Sequence, residues 1–393
     1  MSAELEQQLR AAFGRLPKPS REASARARSA ALAAIGPSGG RSSSVLVLVF
    51  VAVAFAVGAG AAALAATGNL RVDIGARQKP ARPVPTRLSV PPRSHGLALV
   101  AGGKLWLATR NGLRIEGMPV SAAELSPRAL YAVVGLGSSL VALAPGNRRP
   151  WVHPTGGRVA AASWSPDGLK IAYVVARPGG YQLRIIEGDG SPDGLLVGHV
   201  GAVKPSWRPD ALAVAYVDSR GRAAVYDLAT GKPRTFDTQK CVGRARAVAY
   251  APLGRRLAVA GVGGVAVIER WNRPQACFGL EQDLAINGLT WVGTRALATT
   301  DNGFTGIGRS AFRGYRLTAN AQLDGTGGAT TRKHLRALAA SSDGRPIVAF
   351  QPAPGTVELA IVHRVTPASR ALGVQKALVR VHARASAVSI SWR

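Results

Sequence analysis

Acid and sulfur are scarce in this sequence. Its 393 residues carry 21 Asp and Glu against 50 Lys and Arg, a formal net charge of +29, and only two Cys and two Met. Two cysteines cannot build the disulfide framework of a small secreted scaffold. Cys241 and Cys277 are also too far apart for a CxxC metal or redox motif. Chemical motifs are missing as well: there is no HExxH, P-loop or EF-hand loop. The six histidines (His95, His153, His199, His334, His363, His382) are dispersed and read as surface or loop residues. The stretch Gly188 to Gly194 lacks the spaced carboxylates and terminal Glu of a calcium loop and reads as a turn. No catalytic residue, cofactor or metal ligand is therefore assigned.

The excess of basic residues raises the question of nucleic acid or anionic lipid. The basic residues are mostly Arg and are spread along the whole chain. No aromatic–basic platform or groove-reading motif accompanies them, so nucleic acid is not the expected partner.

Charge is wholly absent from Val45 to Ala66, VLVLVFVAVAFAVGAGAAALAA. At about 1.5 Å per residue this run covers a hydrocarbon core of about 30 Å as a helix. The expectation is a single transmembrane helix over 44–67. A cleaved signal peptide, with Ala63-Leu64-Ala65 as its small-residue site, competes. The length of the run and of the tail before it counts against that reading. Both flanks are basic, so the positive-inside rule nearly cancels. The expected orientation places residues 1–43 in the cytoplasm and the C-terminal part outside. The tail offers a short amphipathic helix, with Leu5, Leu9, Ala12, Phe13 and Leu16 at helical spacing, stopped by Pro17 and Pro19. Residues 68–94 read as a Pro- and Arg-rich spacer, with Gln78 to Arg93 extended and semi-rigid.

What the rest of the chain has is repetition. Ser163-Trp164-Ser165-Pro166-Asp167-Gly168 is followed by the apolar run Lys170 to Val175. Ser206-Trp207-Arg208-Pro209-Asp210 is followed by Ala213 to Val217, and Tyr250-Ala251-Pro252 by Arg256 to Ala260. Weaker copies place Leu125, Trp291, Ala340 and Trp392 at the same position. Positions 125, 164, 207, 250, 291, 340 and 392 differ by 39, 43, 43, 41, 49 and 52 residues. Four-stranded propeller blades recur at about 40–45 residues. Pro and Asp-Gly close a tight turn between two strands, and the aromatic before them fills the space between neighbouring sheets.

These units resemble the bacterial WD40-like, TolB-type β-propeller repeat, most closely from Trp164 to Val175. The resemblance implies an all-β propeller over 95–393. Ser386 to Trp392 completes a first blade that otherwise lacks its inner strand, and this gives seven blades, with six as the alternative. The sequence departs from the pattern where Ala211 replaces Gly and where no Asp follows Pro252. Cys241 precedes an inner strand and Cys277 lies in the outer strand of the same unit, so a disulfide across that blade is expected if the domain is outside. The function that follows is a membrane-anchored, non-enzymatic scaffold binding a protein, peptide or glycan outside the cytoplasmic membrane. A transmembrane sensor using the tail, and a propeller lyase or hydrolase, are the alternatives.

Overall fold

The computed structural model describes residues 84–91, 94–269, 276–279, 286–292, 296–301, 310–317, 323–331, 334–340, 346–362, 374–384 and 388–392. The expected cytoplasmic tail and membrane helix lie outside these residues. No helix among the described residues is long and apolar enough to cross a membrane.

The described strands form seven four-stranded antiparallel sheets. Six of them are simple meanders of consecutive strands. Sheet 2 runs through Ala122–Leu125, Ala132–Leu136, Ser139–Leu143 and Val152–Pro154. Sheet 3 has Val159–Trp164, Lys170–Arg177, Gly180–Glu187 and Asp193–Val200. Sheet 4 has Ser206–Trp207, Ala213–Val217, Ala223–Asp227 and Lys232–Thr235. Sheet 5 has Ala245–Tyr250, Leu257–Gly261, Gly264–Ile268 and Ala276–Gly279. Sheet 6 has Ile286–Trp291, Ala296–Asp301, Ser310–Leu317 and Leu323–Thr331, and sheet 7 has His334–Ala340, Pro346–Ala353, Thr356–Val362 and Val374–His382. Sheet 1 differs in kind. Its strands Gly96–Ala101, Lys104–Thr109 and Arg114–Pro119 come from the start of the domain, and its first strand, Ser389–Trp392, from the far end.

Alternation in each strand explains why the sheets stack. In sheet 3, Ile171, Tyr173 and Val175 join a buried cluster shared with sheet 2. Ala172 and Val174, pointing the other way, join one shared with sheet 4. A strand buried on both faces loses the polar half of its alternation, which is why LAVAG and AVAYV read as unbroken apolar runs. Each sheet shares such a cluster with the next, and sheet 7 shares one with sheet 1.

The aromatic of each repeat lies in the junction with the preceding sheet, and it does more than fill it. The Trp207 indole donates to the Ser163 carbonyl of sheet 3 at 2.9 Å. The Trp291 indole donates to the Ala249 carbonyl of sheet 5 at 2.8 Å. The serine before the tryptophan bonds in the opposite sense. Ser206 Oγ accepts from the Tyr250 amide of sheet 5 at 2.9 Å, and Ser391 Oγ accepts from the Leu125 amide of sheet 2 at 3.1 Å. The Ser206-Trp207 pair thus ties its inner strand to both neighbours.

The closing strand is held in register by Leu97 opposite Trp392 and Leu99 opposite Ile390. A second element covers this seam. Residues 84–91, expected to lie within an extended, semi-rigid spacer, are docked. Leu88 is 1% exposed within the cluster shared by sheets 7 and 1. The Pro85 carbonyl accepts from the Arg380 amide at 2.8 Å, and the Leu88 carbonyl accepts from Arg114 at 3.3 Å. The compact unit accordingly begins at Pro83.

The indole bonds make a direct test. Trp164 Nε1 has no hydrogen-bond partner among the described residues, whereas Trp207 Nε1 does. Trp207→Phe should therefore destabilise the domain by about 1–2 kcal/mol more than Trp164→Phe. Denaturant unfolding reads the difference, and equal losses would show that the indole–carbonyl bond adds nothing to packing.

Candidate functional site

In a meander, alternate turns fall at opposite ends of the sheet. Here one end carries the turns that join first to second strands (the turn face). The other carries the connections from each outer strand to the next inner strand (the connector face).

The repeat motif builds the turn face. In Ser165-Pro166-Asp167-Gly168 the Gly168 amide donates to the Ser165 carbonyl at 3.0 Å, and Gly168 has φ +78°. Asp167 Oδ1 accepts the Leu169 amide at 3.0 Å, and Ser165 Oγ accepts the Lys170 amide at 2.8 Å. The next copy keeps this geometry without glycine. Ala211 has φ +59° and its amide donates to the Arg208 carbonyl at 2.9 Å. Left-handed backbone costs a non-glycine residue about 1 kcal/mol, so the turn is imposed by the sheets around it. Arg208, almost fully buried, places Nε 2.7 Å from Asp210 Oδ1. Burial works to raise the Asp210 carboxyl, but Arg208 and the Leu212 amide outweigh it and hold it low. In sheet 5 the turn after Pro252 uses Gly254 at φ +77°.

The residues singled out in the sequence are therefore distributed around the ring. Trp164, Trp207, Tyr250, Trp291 and Trp392 lie buried in five different sheet junctions. Pro166, Asp167, Gly168, Pro209, Asp210 and Pro252 shape turns in three successive sheets. Cys241, in the short helix Gln239–Val242, is joined by a disulfide to Cys277 of the outer strand of sheet 5, with Cα atoms 5.9 Å apart. Of the histidines, His95, His199 and His382 are exposed. Among the described residues no three His, Cys, Asp or Glu come together as a metal site would require.

One polar cluster escaped the sequence reading. At the outer junction of sheets 2 and 3, Asp193 accepts from Tyr173 Oη at 2.8 Å and from Arg184 Nη2 at 2.6 Å. His153 Nε2 lies 3.3 Å from the same carboxylate. Burial pushes the Asp193 carboxyl up, but the bonds from Arg184 and Tyr173 and the Arg184 charge hold it below its ordinary value. Burial, with the Asp193 bond, raises the Tyr173 hydroxyl strongly. Beside it the Trp151 indole donates to the Gly188 carbonyl at 3.0 Å. This is a clamp between two sheets, since its polar atoms are spent on each other. Only the repeated outer-strand position could have hinted at it, because its members are contributed by four strands.

The connector face carries the cleft. It measures about 450 Å³ and is lined by Val203, Val217, Ala245 and Ile286 with Asp218, Arg244 and Arg246 above them. Those residues come from the approaches to the inner strands of sheets 4, 5 and 6 and from the turn between the middle strands of sheet 4. Close by, Lys204 reaches past sheet 3 to the inner strand of sheet 2, where its Nζ lies 2.6 Å from Glu124 Oε2. Glu124 is 3% exposed, so this pair spans the inner ring. Asp218 is consumed locally: its Oδ1 accepts the Arg220 and Arg222 amides at 2.9 and 2.8 Å, and Oδ2 accepts Arg222 Nε at 2.7 Å. Arg244 lies over Gly221, where a Cβ would overlap its stem.

No family model and no curated protein matches this chain. Among solved structures it is similar to a chain of the crystal structure described as "Mitotic Checkpoint Complex", with a TM-score of 0.53 and 14% identity, covering 80% of this chain and 89% of that one. The likeness is one of fold, and together with the ring of sheets it makes the domain an all-β propeller.

The Asp193 clamp sets an acid limit. Its carboxyl is lower in the folded state than in the unfolded one, so its contribution is complete above the unfolded value and is lost as pH falls through the lowered value. Asp193→Asn should cost about 2–4 kcal/mol at neutral pH, because Arg184 is left poorly compensated. Wild type should converge on the variant as the pH falls below about 4. Urea unfolding across pH measures both. A gap that persists undiminished into strong acid would remove Asp193 as its source.

Proposed function

We propose that this chain is a membrane-tethered, non-catalytic propeller of the TolB-type repeat class, its seven sheets serving as seven blades. Its connector face binds a protein or peptide outside the cytoplasmic membrane. The observation that carries this is the division of labour between the faces. The repeat residues are committed to turns and junctions, while the connector face keeps a cleft whose arginines have no ion pair among the described residues. Propellers place such loops on a rigid frame, which is the usual location of specificity.

Three further features support the reading. The apolar run Val45 to Ala66 is long enough for an anchor. The Cys241–Cys277 disulfide suits an oxidising compartment. The titratable groups of the Asp193, Tyr173 and His153 cluster are held in a structural clamp rather than presented to a cleft.

A cell-based experiment addresses location and face together. A membrane-impermeant thiol reagent should label Cys241 and Cys277 in intact cells only after an impermeant reductant. A photo-crosslinking residue at Ala202, on the connector face, should give discrete protein adducts, and one at Leu253, on the turn face, should not. Thiols reached only after lysis would place the domain in the cytoplasm. Adducts at Leu253 alone would move the binding surface to the other face.

A further inference from the structure

From the charges around this cleft we infer that it takes an acidic segment of a polypeptide, with Arg244 and Arg246 as the pair that receives its carboxylates. The inference rests on the connector face being the binding surface and names the chemistry of what binds there.

The cleft has a cationic rim over an apolar floor. Arg244 and Arg246 are both exposed, and neither has an ion pair among the described residues. Among the described residues the only carboxylate lining the cleft is Asp218, and it cannot neutralise them. It is already engaged by the Arg222 side chain and two backbone amides. Arg222 in turn is occupied by Asp218, so among the described residues the free charges at the rim are those of Arg244, Arg246 and the exposed Arg220. The Lys204 ammonium adds no free charge, because buried Glu124 holds it from across the ring.

Position matters as much as charge. Arg244 is laid along the surface by the missing side chain of Gly221, and its Nη2 lies 3.5 Å from the Ser219 carbonyl. Part of the entropy of a free arginine is thereby already spent. Arg246 is the second residue of the inner strand Ala245–Tyr250, at the bulge where the pairing with Leu257–Gly261 shifts. Two guanidinium groups two residues apart at the start of one inner strand suit successive carboxylates of an extended peptide, each able to bind bidentately. Beside them the exposed Ala202 and half-buried Val203 offer apolar surface for the intervening side chains, above the almost fully buried Val217, Ala245 and Ile286. The described lining residues include no aromatic ring on which a base could stack, which favours polypeptide over single-stranded nucleic acid.

The test uses the full chain in detergent micelles and a short fluorescein-labelled peptide of alternating Glu and Leu. Fluorescence anisotropy should show saturable, salt-sensitive binding. R244A/R246A should weaken it about tenfold or more, and the peptide with Gln for Glu should bind no better than that variant. R255A, on the turn face, should match wild type. Both arginines are exposed, so an unchanged melting curve will show that the double variant is folded. The inference falls if wild type does not bind the peptide, if the double variant binds it equally, or if an oligothymidylate displaces it at lower concentration than unlabelled peptide. In any of those cases adducts at Ala202 in cells would still leave the connector face as a binding surface for a partner of different chemistry.

Discussion

No sheet in this molecule can stand alone, and the bonds that cross between inner strands are what the rest depends on. A four-stranded sheet with apolar side chains on both faces must have a neighbour on each side. Packing alone would leave neighbours free to slide, because apolar contact has no direction. The Ser-Trp pair removes that freedom. Trp207 donates backward to Ser163, and Ser206 accepts forward from Tyr250, so one dipeptide fixes the register of three sheets. The Leu125 amide donates to Ser391 Oγ in the same way, which carries the forward bond across the point where the two ends of the domain meet.

The left-handed alanines show how firmly that frame is set. Ala129 and Ala211 both adopt φ near +55°, where glycine stands in sheets 3 and 5. A local sequence preference would not place alanine there. The inner strands arrive at a fixed spacing, and the turn bends to join them. The outer rim is locked differently, by the Asp193 cluster and by Trp151 against Gly188. Inner and outer locks together leave the connector face as the place where loops are free to differ from one sheet to the next.

Much of this was legible because its causes are local. Pro166, Asp167 and Gly168 define a turn by their own chemistry, and the aromatic before them repeats at a spacing that only a stack of sheets explains. The closing role of Trp392 was readable because an inner strand without successors faced three strands without a predecessor. What escaped was either non-local or masked by composition. Tyr173, Arg184 and Asp193 come from three strands of one sheet and His153 from another, so no window of sequence holds them. Leu88 sits in a proline-rich stretch whose composition says spacer, and only its burial shows a strap. Arg244 and Arg246 look like any other arginines in a chain that has them everywhere. They stand out only once Asp218 is seen to be taken by Arg222.

The seam between sheets 7 and 1 has a consequence for how the chain is made. Leu97 pairs with Trp392, and Leu88 is buried in the same junction. Early residues therefore wait, with their partners not yet translated, until almost the whole domain has left the ribosome. Such long-separation contacts form slowly and leave apolar edges uncovered meanwhile. The junction acts as a check on completeness: a chain stopped short of Ser389–Trp392 presents an open ring with a sticky edge, the kind of surface that chaperones and proteases recognise.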